Sequence, residues 1–330
     1  MRFTVRALLT IAPALAMLAG ASRGHAGDTL YVVNTGNYSV TIYNPGKKGD
    51  IKPKRQILGA KTELSNPQGV AVDKHGNVFV AGEVWPGIVT KYSPNKKGDA
   101  TPSAEITGTT TAMEYPFGIA LDSSDNVYVT NSDPDPAADT VEKFAPLASG
   151  NNDPAPTATI RGTDTGLSVP EGIVVDSSDN IFVVNNTSET VEEFSPPAAG
   201  INDAAPIASI GGGATDLNSP VGIALDSEGY IYVANSGNDS VTKYAPLAAG
   251  PLADTPPIAT IAGSNTELDK PQGVAVDSRG YVYVSNSGSG LSSVCEFAPP
   301  VPGENDTAPI VKIYGIKTLL NVPMLITLGK

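Results

Sequence analysis

The residues of this chain with the most chemistry to offer sit directly after a recurring proline. Gln68, Phe117, Glu171, Val221, Gln272 and Met324 follow Pro67, Pro116, Pro170, Pro220, Pro271 and Pro323, spaced about 50 residues apart. One carboxylate and two primary amides in that set could hold a polar or cationic ligand. They make a poor cage for a hard divalent cation, which wants several oxygen ligands with compensating charge. A second set, Asn34, Asn131, Asn185, Asn235 and Asn286, recurs later in each unit, with Gly82 in the remaining slot. Trp85, the sole tryptophan, lies in the irregular run Gly82-Glu83-Val84-Trp85-Pro86-Gly87, where it could stack on a ligand or anchor a partner. Histidine is scarce: past residue 26 only His75 remains, in a turn segment. A histidine-ligated zinc site and a Ser-His-Asp triad are therefore excluded at these positions. The acidic run from Asp133 to Asp139 reads as a solvated loop, with calcium binding as its alternative.

The elements that position these residues follow from the repeat. Five of the prolines open the pattern P-x-G-[IV]-[AV]-[VL]-D, ending at Asp73, Asp122, Asp176, Asp226 and Asp277. An aromatic-Val pair comes next (Phe79-Val80, Tyr128-Val129, Phe182-Val183, Tyr232-Val233, Tyr283-Val284). Then come Val-x-x-aromatic-x-Pro and a last run through Ile106, Ile160, Ile210, Ile261 and Ile313. Each unit thus holds four short β-rich runs punctuated by Gly, Pro, Asn and Asp, with no helical period. Four strands per repeat of this length describe a propeller blade. The turn after the first run, as in Asp73-Lys74-His75-Gly76-Asn77, needs an Asp to bond backbone N–H groups and a residue that tolerates positive φ.

The two ends fix the blade number. The N-terminal unit lacks a first strand, and Pro323–Leu328 is a first strand lacking the rest. Pairing them gives an all-β, six-bladed propeller of four-stranded blades with no exposed strand edge at the seam. Antiparallel alternation then puts the residue after each proline at the channel mouth. The asparagine series forms an outer ring on the same face.

Composition narrows the partners. The net charge is −13, and removing the N-terminal 26 residues takes three arginines and no acids, leaving −16. That sign repels phosphate backbones, so nucleic acid is not an expected partner. Arg2 and Arg6, an apolar run from Ala7 to Gly20, and small residues at Gly24 and Ala26 read as a signal peptide cleaved near Ala26. The apolar run is too short to span a membrane. The expectation is a secreted or periplasmic protein with a single domain over 27–330, a monomer without a cofactor. Cys295, the one cysteine, cannot form an internal disulfide and is expected to be partly exposed.

Segments such as Pro220-Val221-Gly222-Ile223-Ala224-Leu225-Asp226 followed by Tyr232-Val233-Ala234-Asn235-Ser236-Gly237-Asn238 resemble NHL repeats, over nearly all of the chain past residue 26. That family usually has Asp where this chain has Asn235 and a basic residue where it has Ser240. The gluconolactonase-like hydrolases are similar propellers that hold a divalent metal through Glu, Asn and Asp at such positions, and here only Glu171 matches in kind. Streptogramin-lyase-like propellers are similar too, but depend on histidines. The resulting expectation is a non-catalytic, exported binding or scaffold propeller. It would engage a protein or a small polar ligand through Gln68, Phe117, Glu171, Gln272, Trp85 and the asparagine ring. A divalent-metal-dependent lactonase or lyase is the alternative.

Overall fold

Period-two apolar runs with β-branched and aromatic residues form strands throughout. The computed structural model describes residues 28–329 apart from 134, 136, 137, 251 and 289–291, so the expected signal peptide lies outside the described residues. The first blade contains β1 (Thr29–Asn34), β2 (Ser39–Tyr43) and β3 (Arg55–Ile57). The second holds β4 (Pro67–Val72), β5 (Val78–Gly82), β6 (Ile88–Tyr92) and β7 (Ala104–Thr107). The third has β8 (Pro116–Leu121), β9 (Val127–Asn131), β10 (Thr140–Phe144) and, after β11 (Gly150–Asn152), β12 (Ala158–Ile160). The fourth has β13 (Pro170–Val175), β14 (Ile181–Asn185), β15 (Thr190–Phe194) and, after β16 (Gly200–Asn202), β17 (Ala208–Gly211). The fifth has β18 (Pro220–Leu225), β19 (Ile231–Asn235), β20 (Ser240–Tyr244) and β21 (Ala259–Ile261). The sixth has β22 (Pro271–Val276), β23 (Val282–Asn286), β24 (Ser293–Phe297) and, after β25 (Gly303–Asn305), β26 (Val311–Tyr314).

The last strand, β27 (Pro323–Gly329), returns to the first blade and pairs antiparallel with β1, placing Leu30 opposite Leu328 and Val32 opposite Ile326. The sheet order β27-β1-β2-β3 is the expected closure, and the ring has six sheets. Each sheet buries both faces against its neighbours. Tyr31, Val33 and Ile42 of the first blade, for example, pack with Val70, Val80 and Tyr92 of the second. Side chains of this size contribute roughly 1.5–3 kcal/mol each when fully buried. A blade stripped of its neighbours would expose both apolar faces.

Two-sided burial explains a correction. Cys295 is fully buried, and its thiol accepts a hydrogen bond from Asn286 Nδ2 at 3.4 Å. Its counterparts Thr41, Thr90, Glu142, Glu192 and Thr242 are buried too, because the third strand of a blade lies between two sheets. Burial pushes the Cys295 thiol up to about 11.

The innermost strands come closest where the repeat has glycine. A Cβ on Gly69, Gly118, Gly172, Gly222 or Gly273 would stand under 3 Å from the main-chain oxygen of Phe117, Glu171, Val221, Gln272 or Met324 on the next blade. The hairpins on the opposite face behave as the pattern requires. Asp73 Oδ1 accepts from the His75 and Asn77 N–H groups at 2.9 and 2.8 Å, and Asp122, Asp176, Asp226 and Asp277 do the same in their own turns. The turn position with positive φ is Gly76, Gly229 or Gly280 in three blades, and Asp125 or Asp179 in the other two.

The rim carries a device that the strand pattern does not announce. Between its third and fourth strands each blade sends a loop up the outer edge of the preceding blade. In three blades the loop adds a parallel fifth strand: β11 on β7, β16 on β12, and β25 on β21. In the others it makes a single bridge, Gly49 to Ile313, Gly98 to Ile57 and Ala253 to Ile210. All six loops end in an Asp that accepts a backbone N–H of the preceding blade. The pairs are Asp99 with Lys61 (2.6 Å), Asp153 with Thr110 (2.9 Å), Asp203 with Asp164 (3.0 Å), Asp254 with Ala214 (2.7 Å), Asp306 with Asn265 (2.8 Å) and Asp50 with Lys317 (2.6 Å).

Candidate functional site

The asparagine ring is built into the ring's frame. Asn34, Asn131, Asn185, Asn235 and Asn286 end the second strands and are all at most 2% exposed. A buried amide must find partners for its oxygen and its NH₂ group. Each oxygen accepts a backbone N–H from the loop entering the blade's own first strand: Asn321 to Asn34, Glu114 and Tyr115 to Asn131, Ser168 to Asn185, Asn218 to Asn235, Asp269 to Asn286. The NH₂ groups of Asn34, Asn185, Asn235 and Asn286 donate to the third strand, as Asn34 does to Thr41 and Asn235 to Thr242. These side chains hold the first strand against the second and third.

The next position along supplies the polar groups of the channel mouth. It is Thr35, Glu83, Ser132, Asn186, Ser236 and Ser287 around the ring. Thr35, Ser132 and Asn186 donate across the blade boundary to the main-chain oxygens of Pro67, Pro170 and Pro220, at 2.6, 2.7 and 3.2 Å. Glu83 stands in this ring where the sequence lost its asparagine to Gly82, and it binds inward. Gln68 Nε2 donates to Glu83 Oε2 at 2.6 Å, and Asn66 Nδ2 donates to the same oxygen at 3.1 Å. Gln68 is buried, held also by the Thr35 hydroxyl on its Oε1 at 3.5 Å.

Glu171 is the outlying group. Its Oε2 is buried, and no group among the described residues hydrogen-bonds it. Burial, reinforced by the charge of Glu83 and only partly offset by a hydrogen bond with Asn186, pushes the Glu171 carboxyl up to about 8. Two residues that sequence reasoning passed over thus bear on two of its candidates: Glu83 bonds Gln68 and acts on Glu171 through its charge, and Asn186 hydrogen-bonds Glu171. Gln272 is not part of this cluster; its amide turns back to the Lys270 oxygen at 3.2 Å. Phe117 and Met324 are partly buried, and Val221 is buried. Trp85 is 70% exposed and stands out from the loop that carries Glu83.

Along the innermost strands lies a cavity of about 260 Å³, lined by Val70–Val72, Ile119–Leu121, Gly172–Val175, Ile223–Leu225, Val274–Val276 and Leu325–Leu328. Thr327 is its only hydroxyl-bearing side chain, so that space offers no acid, base or nucleophile. Among the described residues, Glu83 and Glu171 are carboxyl groups near the channel mouth that could take or give a proton. Among the described residues no cluster of three or more His, Cys, Asp or Glu could hold a metal ion. Two carboxylates, one of them inclined to stay protonated at neutral pH, do not fit a divalent cation. The acidic loop is used internally: Asp139 accepts the Asp133 N–H at 2.9 Å and the Val169 N–H of the next blade at 2.7 Å. No helix among the described residues is long and apolar enough to cross a membrane.

Several solved propellers superpose on most of the chain. A Bacteroides caccae protein of unknown function is 12% identical with a TM-score of 0.64, covering 92% of this chain and 100% of its own. A chain of the nidogen/laminin complex is 16% identical with a TM-score of 0.61, covering 92% and 99%. A Bacteroides fragilis protein named as a candidate 6-phosphogluconolactonase is 14% identical with a TM-score of 0.56, covering 94% and 99%. At these identities the likeness is one of fold. No curated protein matches the chain. The model of the family described as "Lactonase, 7-bladed beta-propeller" matches residues 21–299. The chain belongs to that lactonase propeller family, and builds its ring from six blades where the family's description has seven.

Proposed function

We propose that this protein is an exported binding propeller that takes a small, polar, positively charged ligand at the channel mouth. The observation that carries the reading is Glu171: a buried carboxyl oxygen without a hydrogen-bond partner among the described residues, close enough to feel the charge of a second carboxylate that Gln68 and Asn66 hold in place. An ammonium or guanidinium group there would supply the missing donor and favour release of the Glu171 proton, leaving a carboxylate for the cation to pair with beside Glu83. Export rests on the leader-like segment before Gly27, and the in-register P-x-G and Asn slots support an NHL type of repeat within the lactonase propellers. Calorimetric titration with a panel of amines and guanidines tests the binding. A ligand bound by the native protein and lost at least tenfold in Glu171→Gln supports the reading. Equal affinity in both proteins overturns it.

A second reading, lactone hydrolysis, is favoured by the family match together with the same two carboxylates. Activating water and protonating the departing ring oxygen needs a proton donor and an acceptor at one site, and Glu171, whose carboxyl burial pushes up to about 8, could be the donor. A panel of sugar and aliphatic lactones, assayed by proton release, decides it. Turnover abolished by both Glu171→Gln and Glu83→Gln would displace the binding reading.

A further inference from the structure

The turn that joins the last blade to the first carries exposed apolar side chains that its counterparts lack. Six turns of the form Gly-x-x-Thr lead into the first strands, each closed by the threonine hydroxyl on the glycine oxygen at 2.6–2.8 Å. The residue after the glycine is Ala60, Thr109, Thr163, Gly213 or Ser264 in five of them, and Ile316 in the sixth. The residue after the threonine is Glu63, Ala112, Gly166, Asp216 or Glu267 in the same five, and Leu319 in the sixth. That second position has positive φ in all six turns, 62° at Leu319. Such a backbone disfavours a bulky side chain, so the turn itself gains nothing from a leucine there. Ile316 is 91% exposed and Leu319 42%, with Tyr314 and Val322 exposed on either side.

The chain reverses its sign at the same corner. The net charge is −13, yet the loops between the third and fourth strands of the first two blades read Lys47-Lys48-Gly49-Asp50 and Lys96-Lys97-Gly98-Asp99. The corresponding loops of the other four blades, Pro146 to Asp153, Pro196 to Asp203, Pro246 to Asp254 and Pro299 to Asp306, hold no basic residue. Gly49 bonds the Lys312 oxygen and the Tyr314 N–H on the last blade, and Gly98 bonds the Gln56 oxygen and the Leu58 N–H on the first. The two lysine pairs therefore stand on the two rims that the apolar turn joins. A groove of about 730 Å³ brings Lys52, Lys54, Arg55 and Lys97 together with Lys317 and Leu319 of that turn. Among the described residues Lys47, Lys48, Lys52, Lys54 and Lys97 enter no ion pair, and Lys317 has one, at 3.8 Å, with Asp50.

We propose that this corner docks on an anionic lipid surface, with Ile316 and Leu319 entering the headgroup boundary and the lysines meeting phosphates around them. Apolar side chains on a projecting turn leave water there, while the surrounding ammonium groups stay at headgroup level on flexible stems. The Asp50 carboxylate already holds the turn through the Lys317 N–H at 2.6 Å, so binding need not order it. A protein partner fits less well, because the core of a protein interface is depleted of lysine. Nucleic acid or a sulfated glycan would engage the cations and leave Ile316 in water.

The test is co-sedimentation of the protein with vesicles of phosphatidylcholine and phosphatidylglycerol in equal parts, against vesicles of phosphatidylcholine alone. The expected result is binding to the mixed vesicles, about tenfold or more stronger than to the neutral ones. Lys52→Gln/Lys54→Gln should weaken it about tenfold or more, at roughly fivefold per lysine. Ile316→Ser/Leu319→Ser should weaken it by about tenfold as well. Ile201→Ser, at an exposed position on the rim of the third blade, should leave it unchanged. Circular dichroism would show that the variants keep the native fold. No binding to the mixed vesicles, or equal binding to both kinds, would overturn the proposal. So would binding that the serine variant leaves intact, since charge alone would then account for it and any polyanion would serve.

Discussion

The carboxylate of Asp50 accepts the backbone N–H of Lys317 at 2.6 Å, joining residues 267 positions apart. It is the one of the six rim clasps that crosses the seam between the last and first blades, so it locks from outside the ring what β27 closes from inside. A hydrogen bond of this kind at a partly exposed site contributes roughly 1 kcal/mol. Asp50→Ala is expected to lower the melting temperature by about 2 °C. Asp203→Ala, within the continuous chain, removes an equivalent bond to Asp164 at 3.0 Å. If the seam is the weak point, Asp50→Ala should also speed unfolding in denaturant more than Asp203→Ala does; equal unfolding rates would show the seam to be no weaker than any other boundary.

Deleting residues 323–330 removes β27 and leaves β1 with a free edge in the middle of the ring. Leu30 and Val32 would lose Leu328 and Ile326 opposite them. The expected outcome is loss of cooperative unfolding and concentration-dependent association, read by circular dichroism melts and light scattering. A truncated protein that stays monodisperse and melts like the full chain would mean that closure contributes little.

The pH dependence has a definite sign. Burial raises the carboxyls of Glu142, Glu192, Glu193 and Glu296 above the usual range, and Glu171 reaches about 8. A folded state that holds protons the unfolded chain has released loses stability as pH rises through that interval. Asp122 works in the opposite direction. Burial pushes it up, but hydrogen bonds from Asn126 and Ser124 and the charge of Lys143 outweigh that and hold it low, so its contribution is lost only in acid. The protein should therefore melt several degrees higher at pH 5 than at pH 8. Glu171→Gln should narrow that difference by on the order of 3 kcal/mol. A melting temperature that rises from pH 5 to pH 8 would contradict this assignment of protons.

How much of this was legible in the residues follows from what repeats in register. Blade number, closure and the Asp-turn hairpins could be read because Pro67, Asp73, Val80 and their counterparts keep fixed spacing in every unit. The rim clasps escaped notice because their loops differ in length, so that Asp50, Asp99 and Asp153 fall out of phase with the strands. Cys295 was misplaced because alternation normally separates a wet face from a dry one, and in a propeller both faces are dry. Glu83 was hidden by its position: the asparagine series breaks at Gly82, and the groups that face the channel lie one residue further on. Its partnership with Gln68 depends on where a loop folds back, which no periodicity encodes.

The last prediction concerns the constriction of the channel. Gly222 has no Cβ to meet the Gln272 oxygen, the Gly273 Cα and the Val274 nitrogen of the next blade, all main-chain atoms within 3.1 Å of where a Cβ would stand. Backbone cannot swing aside as a long side chain can, so Gly222→Ala must push two inner strands apart. The cost expected for such overpacking is about 1–3 kcal/mol. Gly213→Ala makes a matched control, since nothing lies within 4 Å of its added methyl. A change there should stay within about 0.5 kcal/mol. Denaturant titration of the two variants separates the causes. If both lose stability alike, the glycines of the P-x-G slot serve chain flexibility. If only Gly222→Ala does, they set how tightly the six innermost strands converge, and with that the position of the adjoining ring that carries Gln68 and Glu171.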